Sequence, residues 1–541
     1  MTKKKLTFSL GIVLFAMLLG LLIGIMTAPK IKAEQDQSNT MENTLSQSIN
    51  MVMALVDNYY VDKVDYDSLT EEVMHSLLST LDPHSTYLTP TAFKKEAETL
   101  SGQFEGIGLT LFYMNDTVYA SHVIPGAPAS NAGIHVGDRI IWVDTTQVSG
   151  KGFTTESSKV VSLIRGPRHS TVKLTIQRKN SKKLLTMNVQ RDVIHTPSVP
   201  AHVMVAPKTG YIRISHFGSS TYYEFRAALL QLLNEHMESL VIDLRDNGGG
   251  SLEAAIGVCN ELLPSGDLIV YTQGEHSQRD NVYATTGGLF EKGRLIVLID
   301  EGSASASEIV AGAVQDNDRG TIVGHRSFGK GLVQRQFPLP NDAAVMLTIA
   351  RYYTPSGRCI QRPYDMGTDE YYSQYITRII QNYVAADSIL DADYDTTHTY
   401  LTKKGRKVYG GGGIRPDIML PYISDTSLIY YNRLIGYRVL EETAHRQLYE
   451  HYDQLTKQYP TVESFVQNYQ VDDVTWKAIL SLADQKKIPR QASSIKKYGD
   501  DIRNRYKATL AMSLYGDNAY YQIAQQGDIE LQNALKRLKI K

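Results

Sequence analysis

GSASASEIVAGAVQDNDRGTIVGHRSFGKGLVQ, residues 302–334, is the stretch from which the rest of the chain is read. Small residues crowd Ser303, Ser305 and Ser307, and an apolar-periodic run starts at Ile309. That pattern presents a hydroxyl where a loop enters a helix. Large side chains are kept out so that the backbone can approach a ligand, and the helix N-terminus favours negative charge. FGKGLVQ (328–334) then sets one lysine between two glycines, against Leu332 and Val333, with Gln334 four residues on. A lysine desolvated there is a candidate base for a serine hydroxyl. On spacing alone a plainer reading competes, because Ser–Ala runs cap helices and Gly-Lys-Gly makes turns.

SASASEIVAGAVQDN followed by GHRSFGKGLVQ resembles the signature of the carboxy-terminal processing peptidases, the tail-specific serine proteases. The resemblance implies a nucleophile at Ser305, a general base at Lys330 and a glutamine at Gln334 that positions the lysine. LVIDLRDNGGGS (240–251) is an apolar strand running into a glycine turn, similar to the family segment that supplies one oxyanion donor. Gly249 is expected to give that donor, with Gly248 next, and the N–H of Ala306 to give the other. A nucleotide loop is disfavoured, since neither GK[ST] nor a complete dinucleotide fingerprint follows. Asp243 and Arg245 are expected to hold the turn. A Ser-His-Asp hydrolase built on His325 is disfavoured by the lack of a G-x-S-x-G elbow.

Upstream, FEGIGLTL (104–111) and PGAPASNAGIHVGDRIIWVD (125–144) together resemble a PDZ domain. The backbone of Gly106, Ile107, Gly108 and Leu109 is expected to receive a terminal carboxylate, and the adjoining strand edge an extended peptide. Arg165-Gly166-Pro167 fits the family, although His169 stands where a further glycine is usual. LDPHSTYL (81–88) matches a family element ahead of this domain, with His84 read as a turn residue. TPSGRCIQ (354–361) and GGGGIRPD (410–417) match motifs beyond the lysine. Between them lies a Tyr- and Asp-rich insert at about 364–408, longer than an ordinary loop.

The 541 residues are too many for one core. A net charge of −1 argues against a nucleic-acid partner. Two cysteines, Cys259 and Cys359, make neither a disulfide framework nor a CxxC metal site. Lys3-Lys4-Lys5 precedes an uncharged run from Leu6 to Ala28, long enough to cross a bilayer with the positive flank inside. An uncleaved anchor is favoured over a cleaved signal peptide.

The expected fold is α/β multidomain. It runs as an anchor or signal segment (1–33), a helical N-terminal region (34–100), a PDZ-like β domain (101–192), a βα-alternating protease core (193–422) and a helical extension (423–541). In the core, strands are expected at 268–271, 294–300 and 321–324. The expected function is an exported Ser-Lys endopeptidase, held in the inner membrane with its catalytic part on the periplasmic or extracytoplasmic side. Its partners are protein or peptide substrates with free C-termini, and neither metal nor other cofactor is implied. The competing class is a non-catalytic PDZ adaptor with a degenerate core.

Overall fold

The computed structural model describes residues 44 and 46–537, apart from 153–155, 180, 182, 286, 386–397, 423–424 and 426. The expected anchor and part of the insert therefore lie outside the described residues. Among the described residues no helix is long and apolar enough to cross a membrane. The chain forms two compact units, one up to His75 and one from Ser76 to Lys541. The first holds a helix over 46–59.

The second unit is built around a six-stranded sheet. Its strands run in the order Ala201–Ala206, Thr209–Arg213, Ser239–Asp243, Arg294–Ile299, Thr321–Gly324 and Ile418–Met419. All neighbours after the first pair are parallel. Side chains alternate between its faces, and both faces are apolar, so both must be covered. Ile212, Ile242, Val297 and Ile322 lie in one register row and join the core formed with the helices Thr221–Asn234, Leu252–Leu262 and Ala306–Asp316. Tyr211, Val241, Ile296, Leu298 and Val323 face the other way and pack on Leu531, Ala534 and Leu535 of the last helix, Ile529–Arg537. The C-terminal extension thus closes the second face of the protease sheet.

A second, antiparallel sheet carries Thr86–Leu88, Leu332–Pro338, Ala344–Tyr353, Leu268–Gly274 and Ser277–Tyr283. This corrects one expectation: the strand at 268–271 does not join the βα-alternating sheet. It pairs with Ser277–Tyr283 as a hairpin and with Ala344–Tyr353. The returning strand, SQRDNVY, is mostly exposed and polar, so no apolar pattern announced it.

The PDZ sheet runs Leu109–Met114, Thr117–Val123, Arg139–Val143, Thr171–Gln177 and Leu184–Gln190, with Thr146–Gln147 paired to the middle strand. The helix Ser157–Ile164 covers it. Its outer face rests on the extension. Phe112 and Tyr119 are cross-strand partners, and they meet His445 at 3.9 Å and Tyr449 at 5.5 Å, ring to ring. Both partners lie on the helix Val439–Gln458.

Candidate active site

Ser305 stands where the chain, having left the parallel strand Arg294–Ile299, enters the helix Ala306–Asp316. Every residue of that helix is buried, which its Ala- and Gly-rich sequence permits. The turn is tied down from below. Asp300 accepts the Asp246 and Gly302 N–H groups, and burial pushes its carboxyl up to about 6. The Asn247 carbonyl accepts from the Ala304 N–H and the Ser307 hydroxyl. Ser305 itself has φ +55° and ψ −113°. A non-glycine residue there costs about 1–3 kcal/mol, and surrounding contacts must hold it.

Glu308 supplies such contacts. It is fully buried, one turn into the helix. Its Oε2 accepts the N–H of Ser305 at 2.9 Å and that of Lys330 at 2.9 Å. Its Oε1 accepts the N–H of Gly329 at 2.8 Å and the hydroxyl of Ser327 at 2.5 Å. Burial still pushes the carboxyl up to about 7, against those four hydrogen bonds. The buried Tyr352 makes a second tie: its hydroxyl lies 3.1 Å from the Ser305 carbonyl and 2.5 Å from that of Lys330. One carboxylate and one phenol thus register the serine turn against the lysine turn.

Ser305, Ala306, Lys330 and Gln334 line one cavity of about 550 Å³, together with Gly248, Gly250, Glu96 and Leu100. Lys330 Nζ donates to Gln334 Oε1 at 2.6 Å, and Gln334 Nε2 donates to the His84 carbonyl at 2.5 Å. That second bond decides which end of the amide faces the lysine. The His84 turn is fixed by Asp82, which accepts the N–H groups of His84 and Ser85 at 2.8 Å each. The His84 ring meets Tyr371 OH at 3.1 Å, and burial pushes its pKa down to about 3, so it is neutral. Burial also lowers Lys330 from the usual lysine value, outweighing the carboxylates of Glu96, Asp82 and Glu308. Leu332 and Val333 line the cavity beside Lys330, whereas the Phe328 ring packs at a tilt against Tyr375, centroids 4.8 Å apart.

One of the expected positions reads differently in the structure. The Gly249 N–H points to Asn247 Oδ1 at 2.9 Å, so it is already engaged, while Gly248 lines the Ser305 cavity. Gly249 serves by close approach instead: a Cβ there would lie 2.8 Å from Ser305 Cβ. Ile107 is 1% exposed and its side chain belongs to the PDZ core. Gly108, at φ +72°, would place a Cβ 2.4 Å from Ala127 Cβ, and a Cβ on Gly106 would meet Phe104 at 3.0 Å. Leu109 opens the edge strand Leu109–Met114, as a peptide-pairing edge requires. His325 is remote from this chemistry. It hydrogen-bonds Glu530 at 3.1 Å and stacks on Tyr422. Burial works to lower its pKa, but the Glu530 carboxylate leaves it raised. Asp243 holds the turn as expected, paired with Arg245 at 2.6 Å and Arg213 at 2.9 Å.

Residues 208–369 match Peptidase family S41, 119–178 match the PDZ domain, and 430–516 match a family of unknown function. A carboxy-terminal-processing protease of Bartonella bacilliformis is 35% identical over 367 residues, spanning 67% of this chain and 81% of the relative. The chain belongs to the carboxy-terminal-processing proteases of family S41. This S41 protease is also 31% identical over 330 residues to the carboxy-terminal processing protease CtpB of Bacillus subtilis, spanning 60% of this chain and 68% of that one. Among solved structures, the photosystem II D1 C-terminal processing protease aligns at 26% identity with a TM-score of 0.35, over 69% of this chain and 87% of that chain. The S41 protease is therefore a serine protease that carries a PDZ domain. Sequence reasoning missed Glu308 and Tyr352. Glu308 had a signal, because Ser305-x-x-Glu308 is a capping-box pattern.

Proposed function

We propose that this chain is an exported, membrane-tethered endopeptidase that cuts proteins near their C-termini by a Ser305–Lys330 mechanism. Neutral Lys330 takes the Ser305 proton. Ser305 Oγ attacks the scissile carbonyl, the leaving amine departs with a proton returned by Lys330, and water hydrolyses the acyl-enzyme. The N–H groups of Gly248 and Ala306 receive the oxyanion. The observation that carries this reading is Lys330, buried, with Nζ on the uncharged acceptor Gln334, in the cavity that Ser305 also lines. A carboxylate in place of Gln334 would favour the ammonium; an amide orients the amine without adding charge.

The PDZ domain takes the substrate tail, its carboxylate on the 106–109 backbone and its strand along Leu109–Met114. The helix Pro90–Ser101 gives that domain a physical link to the chemistry. Glu98 pairs with Arg165 of the PDZ domain at 2.9 Å, while Glu96 and Leu100 line the Ser305 cavity. The run from Leu6 to Ala28 supplies the tether, with the catalytic part outside the cytoplasm. The test is cleavage of a peptide with a free C-terminus beside its amidated twin, with tail binding followed in Ser305→Ala. Binding retained without cleavage, and preference for the free tail, are expected. Cleavage persisting in Ser305→Ala, or equal cleavage of both tails, defeats the corresponding half of the reading. Protease protection that finds residues 50–420 in the cytoplasm defeats export.

A further inference from the structure

Behind the lysine turn lies a second cavity, of about 540 Å³, that the chemistry at Ser305 does not use. Three arginines line it: Arg326, Arg362 and Arg378, 7%, 8% and 6% exposed. A buried guanidinium stays charged and requires a compensating anion or a full set of acceptors. Three other arginines of the described residues have such an anion. Arg358 pairs with Asp316 at 2.7 Å, and Arg213 and Arg245 share Asp243.

Arg362 and Arg378 differ. Neither forms an ion pair among the described residues. Arg362 Nη1 donates to the Tyr371 carbonyl at 3.1 Å, and Arg378 Nη2 to the Ser327 carbonyl at 3.0 Å. Nε and Nη2 of Arg362, and Nε and Nη1 of Arg378, are buried without a hydrogen-bond partner. Aromatic rings take up the guanidinium faces: Arg362 lies 3.9 Å from the Tyr371 centroid and 4.7 Å from that of Phe328, and Arg378 lies 5.5 Å from that of Tyr375. Cation–π contact offsets part of the desolvation but satisfies no N–H edge. Burial, and after it the neighbouring Arg378, press the Arg362 pKa below its usual value. Glu370 is the one carboxylate among the described lining residues, against three guanidiniums.

We propose that this cavity binds a small oxyanion, a carboxylate or a phosphate, between Arg362 and Arg378. Planar guanidinium forks match such oxygens, and Arg is held to them by two parallel hydrogen bonds where Lys makes only a point contact. Rotation of the guanidiniums brings the unpartnered edges to the ligand. The site backs directly on the base turn. The Arg362 N–H donates to the Gly329 carbonyl at 3.0 Å, and its Cγ lies 2.6 Å from where a Gly329 Cβ would stand. Arg378 holds Ser327, two residues before Gly329. Occupancy therefore braces the turn that presents Lys330, and a negative charge there raises the lysine pKa.

The test uses full-length Ser305→Ala protein, so its outcome is independent of the Ser305–Lys330 reading. Inorganic phosphate is titrated against sodium chloride at matched ionic strength, with thermal unfolding as the readout. In a second arm acetate, a carboxylate without a peptide strand for the PDZ edge, replaces phosphate at the same ionic strength. A saturable rise in Tm of about 2 °C or more is expected from phosphate, from the free carboxylate, or from both; the arm that responds names the source. Arg362→Gln and Arg378→Gln should each abolish the rise. Glu370→Gln, which leaves both arginines in place, should tighten binding severalfold. No saturable effect beyond chloride, or an undiminished one in both arginine variants, overturns the proposal. So does phosphate binding that appears only when Asp387, Asp391, Asp393 and Asp395 are changed to Asn, because the compensating anion is then the chain's own.

Discussion

Ser305 and Lys330 reach one cavity from turns of different construction. The serine turn is local. Its nucleophile sits at positive φ, and the carboxylate that holds its N–H lies three residues further on. The lysine turn is assembled from distant segments. Gln334 sets the amine, the His84 carbonyl sets Gln334, and Tyr371 of the insert helix Thr368–Ala385 sets the His84 ring. The nucleophile is thus held at a strained φ chiefly by a carboxylate of its own element, with Tyr352 and Asn247 as further ties. The base is fixed by a chain of contacts at sequence separations of 4, 250 and 287 residues, each further from the amine than the last. Losses should fall off along that chain on the lysine side, and should be steep and immediate on the serine side.

The largest effects belong to the two reacting groups. Ser305→Ala and Lys330→Ala should each lower kcat by about 10⁴-fold or more, and the double variant should be no worse than either, because they act as one unit. Additive losses in a double-mutant cycle would separate the two residues. His325→Ala should keep most of its turnover where folded, since its partner Glu530 retains Arg245 at 2.8 Å.

Glu308→Gln comes next. An amide replaces one accepting oxygen with a donor, which faces two N–H groups or one N–H and the Ser327 hydroxyl. Two buried donors losing their acceptor should lower kcat by about 10- to 100-fold, with KM little changed. Stability carries a second signature. Burial pushes the carboxyl up to about 7 in the fold, above its ordinary value of 4.5. The folded state binds the extra proton, so this contribution is present below about 4.5 and is lost as pH rises through about 7. Wild type should lose stability relative to Glu308→Gln across that window. A flat difference would mean that the carboxylate stays ionised in the fold.

The contrast between the turns also explains what the chain discloses in its sequence. The serine turn is legible because its determinants are adjacent: small residues and a helix pattern. The parallel strands are legible because burial on both faces makes them continuously apolar. What covers the second face was not: Leu531, Ala534 and Leu535 follow the last motif by more than a hundred residues. The role of His84 was hidden for a different reason. Its contact with Gln334 is made by a backbone carbonyl, which every residue type possesses, across a separation of 250 positions. The engagement of the Gly249 N–H by Asn247 is invisible in the same way, since DNGGG permits any of its amides to face the cavity.

Gln334→Glu should act through charge. A carboxylate 2.6 Å from Nζ favours the ammonium, so the rise of activity with pH should move to higher pH, and loss of the Nε2 donor to the His84 carbonyl should lower the plateau as well. Lys330 is lowered from 10.5 in the wild type, so the wild-type midpoint should lie below that value. An unmoved pH profile would remove Lys330 from the rate-limiting ionisation.

The smallest effect is expected at the far end of the base's support. Tyr371→Phe deletes one hydroxyl and leaves the ring, so the edge-on contact with His84 at 5.4 Å and the stacking under Arg362 persist. Two hydrogen bonds go: the one to the His84 ring at 3.1 Å and a longer one from Gln361 Nε2 at 3.3 Å. A neutral hydrogen bond contributes about 1 kcal/mol, and the His84 carbonyl that holds Gln334 is fixed mainly by Asp82 and not by the ring. The loss should be about fivefold in kcat, with KM unchanged and the pH profile in place, because no charge near Lys330 is altered. A loss as deep as that of Lys330→Ala would show that the insert carries the base directly. No loss at all would show that Asp82 alone holds the His84 turn, and the chain of support would end at Gln334.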